Sequence, residues 1–121
     1  MLKKTVVLFV MALSWAGFAQ AQESLPRADV TTEAMVAMCK NRGDVEAQAF
    51  CFGFGEGVYQ SYVVNRPPHA INRICVSKDP VSRRQVLEDF LRWSDANPQH
   101  DQDSAAATLL RFLYVQFSCK R

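Results

Sequence analysis

Once its first residues are set aside, this chain lacks a surplus of charge of either sign. Its 121 residues carry 14 Lys+Arg and 12 Asp+Glu, a formal net charge of +2. Lys3 and Lys4 account for that surplus because no acid precedes Glu23, and residues 22–121 hold 12 charges of each sign. Replacing the counterions of a phosphate backbone takes a basic surplus or stripe, so nucleic acid is not the expected partner. Histidine is scarce, with only His69 and His100. No Cys-x-x-Cys pair is present, whereas a four-cysteine zinc site brings its ligands in closely spaced pairs. The longest apolar stretch, Thr5–Phe18, has 14 residues, short of the roughly 20 that cross a bilayer core. There are no internal repeats and no low-complexity tract, and 49% hydrophobic residues argue against wholesale disorder.

What is present begins with an export pattern. Lys3 and Lys4 precede the Thr5–Phe18 stretch, and Ala19-Gln20-Ala21 forms a small-x-small cleavage site, the three parts of a secretory signal. Residues 1–21 are therefore expected to be removed. Residues 22–121 then form one exported domain of 100 residues, with no membrane association after cleavage. In an oxidising compartment an even number of cysteines reads as disulfides. Cys39, Cys51, Cys75 and Cys119 are separated by 11, 23 and 43 residues, and four cysteines allow three connectivities.

The domain reads as helical. Thr31 or Thr32 is placed to cap a helix to about Lys40, with Met35, Met38 and Cys39 on its apolar face. Asn41-Arg42-Gly43 ends it, and Asp44 caps a second helix, about Val45–Val64. There Phe50, Phe54, Val58 and Tyr62 recur every four residues, while Gly53, Gly57 and Ser61 keep the same spacing a quarter-turn round. Glycine costs about 1 kcal/mol inside a helix, so close packing of another backbone against Gly53, Gly57 and Ser61 is expected. Asn65–Asp79 is irregular, with Arg66, Pro67, Pro68, His69 and Arg73. Ser82-x-x-Gln85 reads as a capping box opening a third helix to about Ser94, with Val86, Leu87, Phe90, Leu91 and Trp93 inward. Asn97-Pro98 stops it. Asp103 or Ser104 caps a last helix, Ala105–Phe117, with Ala106, Leu109, Leu110, Leu113 and Phe117 inward. The expected fold class is all-α, a small disulfide-stapled bundle of about four helices. A short connection makes the last two helices antiparallel. This layout favours Cys75–Cys119 together with Cys39–Cys51.

Catalytic chemistry finds little support. Both histidines fall in expected loops, the cysteines are expected to be paired rather than nucleophilic, and Glu56 stands as a lone carboxylate. The alternation of Asp95, Asn97, Gln99, Asp101 and Asp103 imitates a calcium loop. It carries His100 where glycine is needed and Ala106 where a bidentate glutamate is needed. Gly53-x-Gly55-x-Gly57 does not follow a strand and lacks the spacing of a nucleotide fingerprint. No cofactor, metal or enzymatic activity is expected. Binding is the work left to such a domain.

Cys51-Phe52-Gly53-Phe54 followed by Gly57-Val58 resembles the Cys-x-Gly-aromatic-x-x-Gly-Val signature of Rap/Tai-type immunity proteins of type VI secretion. Cys75, Val81-Ser82, Gln85-Val86, Asn97-Pro98, Ala105-Ala106 and Phe117-Ser118-Cys119 continue the pattern in order. Ser77 and Ser118 stand where the family often has proline, and Gln60 where it often has an acid. The resemblance implies a small periplasmic α-helical protein of a Gram-negative bacterium, often a homodimer. Such a protein binds a peptidoglycan-cleaving amidase toxin and blocks its active-site groove. On this reading the Asn65–Arg73 loop, with Arg66, Pro67, Pro68, His69 and Arg73, is the first candidate contact with the toxin. The Asp95–Asp103 turn, with Asp95 and Asp101, is the second. Composition alone fits one other class, a periplasmic stress or envelope factor binding clients in a chaperone-like way.

Overall fold

Thr31 opens the first helix because its hydroxyl accepts a hydrogen bond from the Ala34 amide at 3.2 Å, relieving one of the unpaired donors of a first turn. The computed structural model describes residues 30–76 and 81–119. The export segment, residues 1–21, lies outside the described residues. Among the described residues there are four α-helices: α1 (Thr32–Cys39), α2 (Val45–Asn65), α3 (Arg83–Asp95) and α4 (Ala105–Gln116), with a short 3-10 turn, Pro98–His100, before α4. Asp44 caps α2 through its carboxylate and the Ala47 amide at 3.0 Å, and Ser82 caps α3 through the Gln85 amide at 3.1 Å. Only half of the expected capping box forms, since the Gln85 amide group turns to Asp89 at 2.9 Å instead.

The helices bury stripes spaced three and four residues apart. Thr32, Met35, Val36 and Cys39 do so on α1; Thr108, Leu109, Phe112 and Leu113 do so on α4. Val36, Ile74, Phe90, Leu109, Phe112 and Leu113 form the main core, flanked by Phe54, Val58, Tyr62, Trp93 and Phe117. Phe112 meets Phe90 edge-on at 5.5 Å between ring centres and Phe117 at 6.1 Å, the geometry that aromatic quadrupoles prefer. A smaller cluster joins Met35, Cys39, Cys51 and Ala105.

Two expected inward residues are corrected. Met38 is 41% exposed while Val36 is buried in its place. On α4 Leu109 and Leu113 are buried as expected, together with Ala105, Thr108 and Phe112, while Ala106 is only partly buried. The cause is packing across the chain. The Thr32 hydroxyl lies 2.8 Å from that of Thr108, fixing which side of each helix faces the other.

Both disulfides form as the helix layout favours. Cys39–Cys51 staples the end of α1 to the start of α2, with 5.9 Å between Cα atoms. Cys75–Cys119 ties the chain before α3 to the chain after α4, with 5.1 Å. No cysteine is free.

The N-termini of α1 and α4 satisfy one another through backbone. The Thr32 amide donates to the Asp103 carbonyl at 2.9 Å and the Glu33 amide to the Asp101 carbonyl at 3.0 Å. In return the Ala105 amide donates to the Val30 carbonyl at 2.8 Å. Ser104 therefore stands at the N-cap of α4 without a side-chain bond.

Candidate functional site

The two candidate loops lie at opposite ends of the α3–α4 pair. The Asp95–Asp103 turn joins these helices directly, whereas the segment after α2 reaches the far end, where Ile74 bridges to Ser118 beyond α4. The structure therefore does not bring the two sets of candidate residues together.

The Asp95–Asp103 turn is occupied with holding the fold. Asp95 pairs with Lys40 at 2.7 Å, and the Asp101 and Asp103 carbonyls accept the first amides of α1. His100 lies parallel over Trp93, 5.8 Å between ring centres, and its Nδ1 is 2.7 Å from the Asp103 carboxylate. Asn97 donates to the Trp93 carbonyl at 2.7 Å.

The Asn65–Arg73 loop is held at both ends and free between them. Arg66 leaves α2 in an extended conformation, as the residue before a proline does. Asn65 donates to the Ser61 carbonyl at 2.8 Å, covering one acceptor of the helix end. The Ala70 amide then closes a turn onto the Pro67 carbonyl at 3.1 Å. His69 sits in that turn with φ of 68°, a left-handed conformation that costs an L-residue about 1–2 kcal/mol. Proline at the second turn position and positive φ at the third are the marks of a type II turn.

Beyond the turn the chain is locked again. The Tyr62 hydroxyl donates to the Asn72 side-chain oxygen at 3.1 Å and accepts from the Arg73 amide at 3.1 Å. The Arg73 guanidinium lies 4.6 Å from the centre of the Tyr114 ring, a cation–π contact, and Tyr62 meets that ring edge-on at 5.8 Å. Ile74 is fully buried. The Cys75 amide donates to the Phe117 carbonyl at 2.7 Å and the Cys119 amide to the Arg73 carbonyl at 3.3 Å. Proline and these anchors limit the ordering cost that a binding loop incurs on docking.

Gly53 and Gly57 are exposed, and a Cβ on either would meet no atom within 4 Å. The close backbone approach expected there is not made within this chain. Gly55 is the inward glycine of the three, with the Leu109 side chain 4.0 Å from an ideal Cβ position. It borders a groove of about 200 Å³ lined by Phe52, Tyr59, Val86 and Leu87. Arg83 and Glu56 are 3.9 Å apart at this groove.

Tyr62, Asn72 and Tyr114 support the loop although no local pattern marks them for it, and Ile71 is 86% exposed on it. Tyr62 also belongs to the apolar stripe of α2, packed against the core. Its hydroxyl role depends on a chain reversal ten residues on, which no local pattern encodes.

Among the described residues, four helices closed by two disulfides form a small all-α scaffold, with the Asn65–Arg73 loop at one end. The chain belongs to the family of Rap1a immunity proteins, whose model matches residues 31–119. No curated protein and no solved structure matches it. Membership carries a toxin-immunity role, exercised by binding a cognate toxin protein, in a family that is generally non-enzymatic. No described helix is long and apolar enough to cross a membrane.

Proposed function

We propose that this protein, exported to the periplasm after loss of residues 1–21, binds and inhibits a peptidoglycan-cleaving amidase effector of type VI secretion. Inhibition is by occlusion: the Asn65–Arg73 loop enters the catalytic groove and excludes substrate without chemistry of its own. The observation that carries this reading is the combination of family membership with a proline-bearing loop fixed at both ends. The opposite turn supports it by contrast, because its backbone carbonyls at Asp101 and Asp103 accept the first amides of α1 and the Asp95 carboxylate pairs with Lys40.

A homodimer belongs to the same reading, because members of this family are often dimeric. The face of α2 bearing Gly53, Gly57 and Ser61 is open for it among the described residues.

The test is co-purification of residues 22–121, oxidised, with type VI peptidoglycan amidases, beginning with one encoded beside this gene. A stoichiometric complex that elutes as one species is expected. Broad suppression of client aggregation with no such complex would replace immunity by the chaperone-like reading.

A further inference from the structure

Ile71 is 86% exposed, the most exposed large apolar side chain among the described residues. A single exposed isoleucine is ordinary on a protein surface. Here its setting is not. Val64, Pro67, Pro68 and Ala70 are exposed along the same short segment. The turn at Pro67–Ala70 and the Tyr62, Asn72 and Arg73 contacts fix the backbone on either side. His69 is held at positive φ in the same turn, the kind of local strain that concentrates at binding sites. The result is an exposed apolar tip with hydrogen-bonded backbone on either side.

Charge sets what this tip fits. No Asp or Glu occurs from Gly57 to Lys78, nor anywhere from Ser104 onward. These two segments meet at the loop end, through the Ile74–Ser118 bridge and the Cys75–Cys119 disulfide. Arg66 and Arg73 stand on either side of the tip, and stacking on Tyr114 steadies the Arg73 guanidinium. Glu33, Asp95, Asp101 and Asp103 gather at the opposite end. Arg66 and Arg73 are thus cations of the loop with no acid in their own segment, whereas Lys40, Arg42 and Arg92 are paired with Asp95, Glu88 and Asp89 elsewhere.

We propose that Ile71 is the anchor of the toxin contact, seating in an apolar pocket whose rim carries carboxylates that meet Arg66 and Arg73. This rests on the immunity reading and adds the chemistry of the partner's surface. A few fully desolvated side chains near the centre of an interface, arginine prominent among them, carry most of the binding energy, and the charged rim steers encounter and excludes wrong partners.

The experiment measures binding of purified type VI amidases, starting with the one encoded beside this gene, to the oxidised mature chain by calorimetry and stopped flow. Ile71→Asp is expected to weaken binding at least about 30-fold, and Ile71→Leu to retain it. Arg66→Glu is expected to slow association about tenfold. Val45→Asp, at an 80% exposed position at the other end of α2, serves as the control and is expected to change binding less than twofold. Circular dichroism and melting temperature confirm that each variant is folded. If wild type binds an amidase and Ile71→Asp binds it equally well, the anchor is overturned while the immunity reading stands. If wild type binds no amidase, the amidase-inhibitor reading fails and the anchor with it. Binding of wild type to phosphatidylglycerol vesicles, lost in Ile71→Asp while amidase binding is kept, would assign the tip to a membrane surface and overturn the proposal.

Discussion

Two side chains carry local costs that substitution should reveal. The Ser94 hydroxyl is buried with no hydrogen-bond partner among the described residues, and a desolvated hydroxyl without a partner is unfavourable. Ser94→Ala is expected to leave stability unchanged or raise it by up to about 1 kcal/mol, read from urea unfolding; a clear loss would mean that the hydroxyl is satisfied. His69 offers the second case. At φ of 68°, glycine removes the left-handed penalty but adds unfolded-state entropy, so His69→Gly is expected to keep the melting temperature. His69→Val, β-branched at the same φ, is expected to cost about 1–2 kcal/mol. At this scale the sequence was legible in part. α4 places Leu109, Leu110, Phe112, Leu113, Tyr114 and Val115 almost in a row, so its 3.6-residue phase is ambiguous, and Phe112 was passed over although it lies at the centre of the core.

Between elements, the Thr32–Thr108 hydroxyl pair is the buried polar link that joins α1 to α4. Thr32→Val leaves the Thr108 hydroxyl buried without that partner and is expected to lower stability by about 1–3 kcal/mol. Thr32→Val with Thr108→Val removes both hydroxyls, so its cost should be less than the sum of the single changes, a coupling that a double-mutant cycle measures. The disulfides rank by the loop each closes. Cys75–Cys119 spans 44 residues and Cys39–Cys51 spans 12, so serine replacement of the first pair is expected to cost about 4 kcal/mol against about 3 for the second. Chemical unfolding of the two double variants checks the order. The caps at Thr31, Asp44 and Ser82 were legible because each is satisfied within three residues. The capping of α4 was not, because its donor Ala105 finds Val30, 75 positions earlier. Helix count and cysteine pairing followed from local patterns. The mutual capping of α1 and α4 is tertiary and left no sequence signal.

On the proposed reading, the whole molecule is a scaffold with its recognition chemistry at the loop end. Twelve charges of each sign in residues 22–121 suggest a weak long-range field. Arg66 and Arg73, in a stretch with no acid from Gly57 to Lys78, give the loop a local positive charge. Raising salt is therefore expected to slow association with the toxin while changing dissociation little, a split that stopped-flow kinetics resolves. The central claim is occlusion of a peptidoglycan amidase, and titration of the oxidised protein into a peptidoglycan-cleavage assay tests it most directly. Cleavage is expected to fall linearly to its end point at one loop per amidase molecule. Undiminished cleavage at a several-fold excess of inhibitor, by every type VI amidase tried, would contradict it.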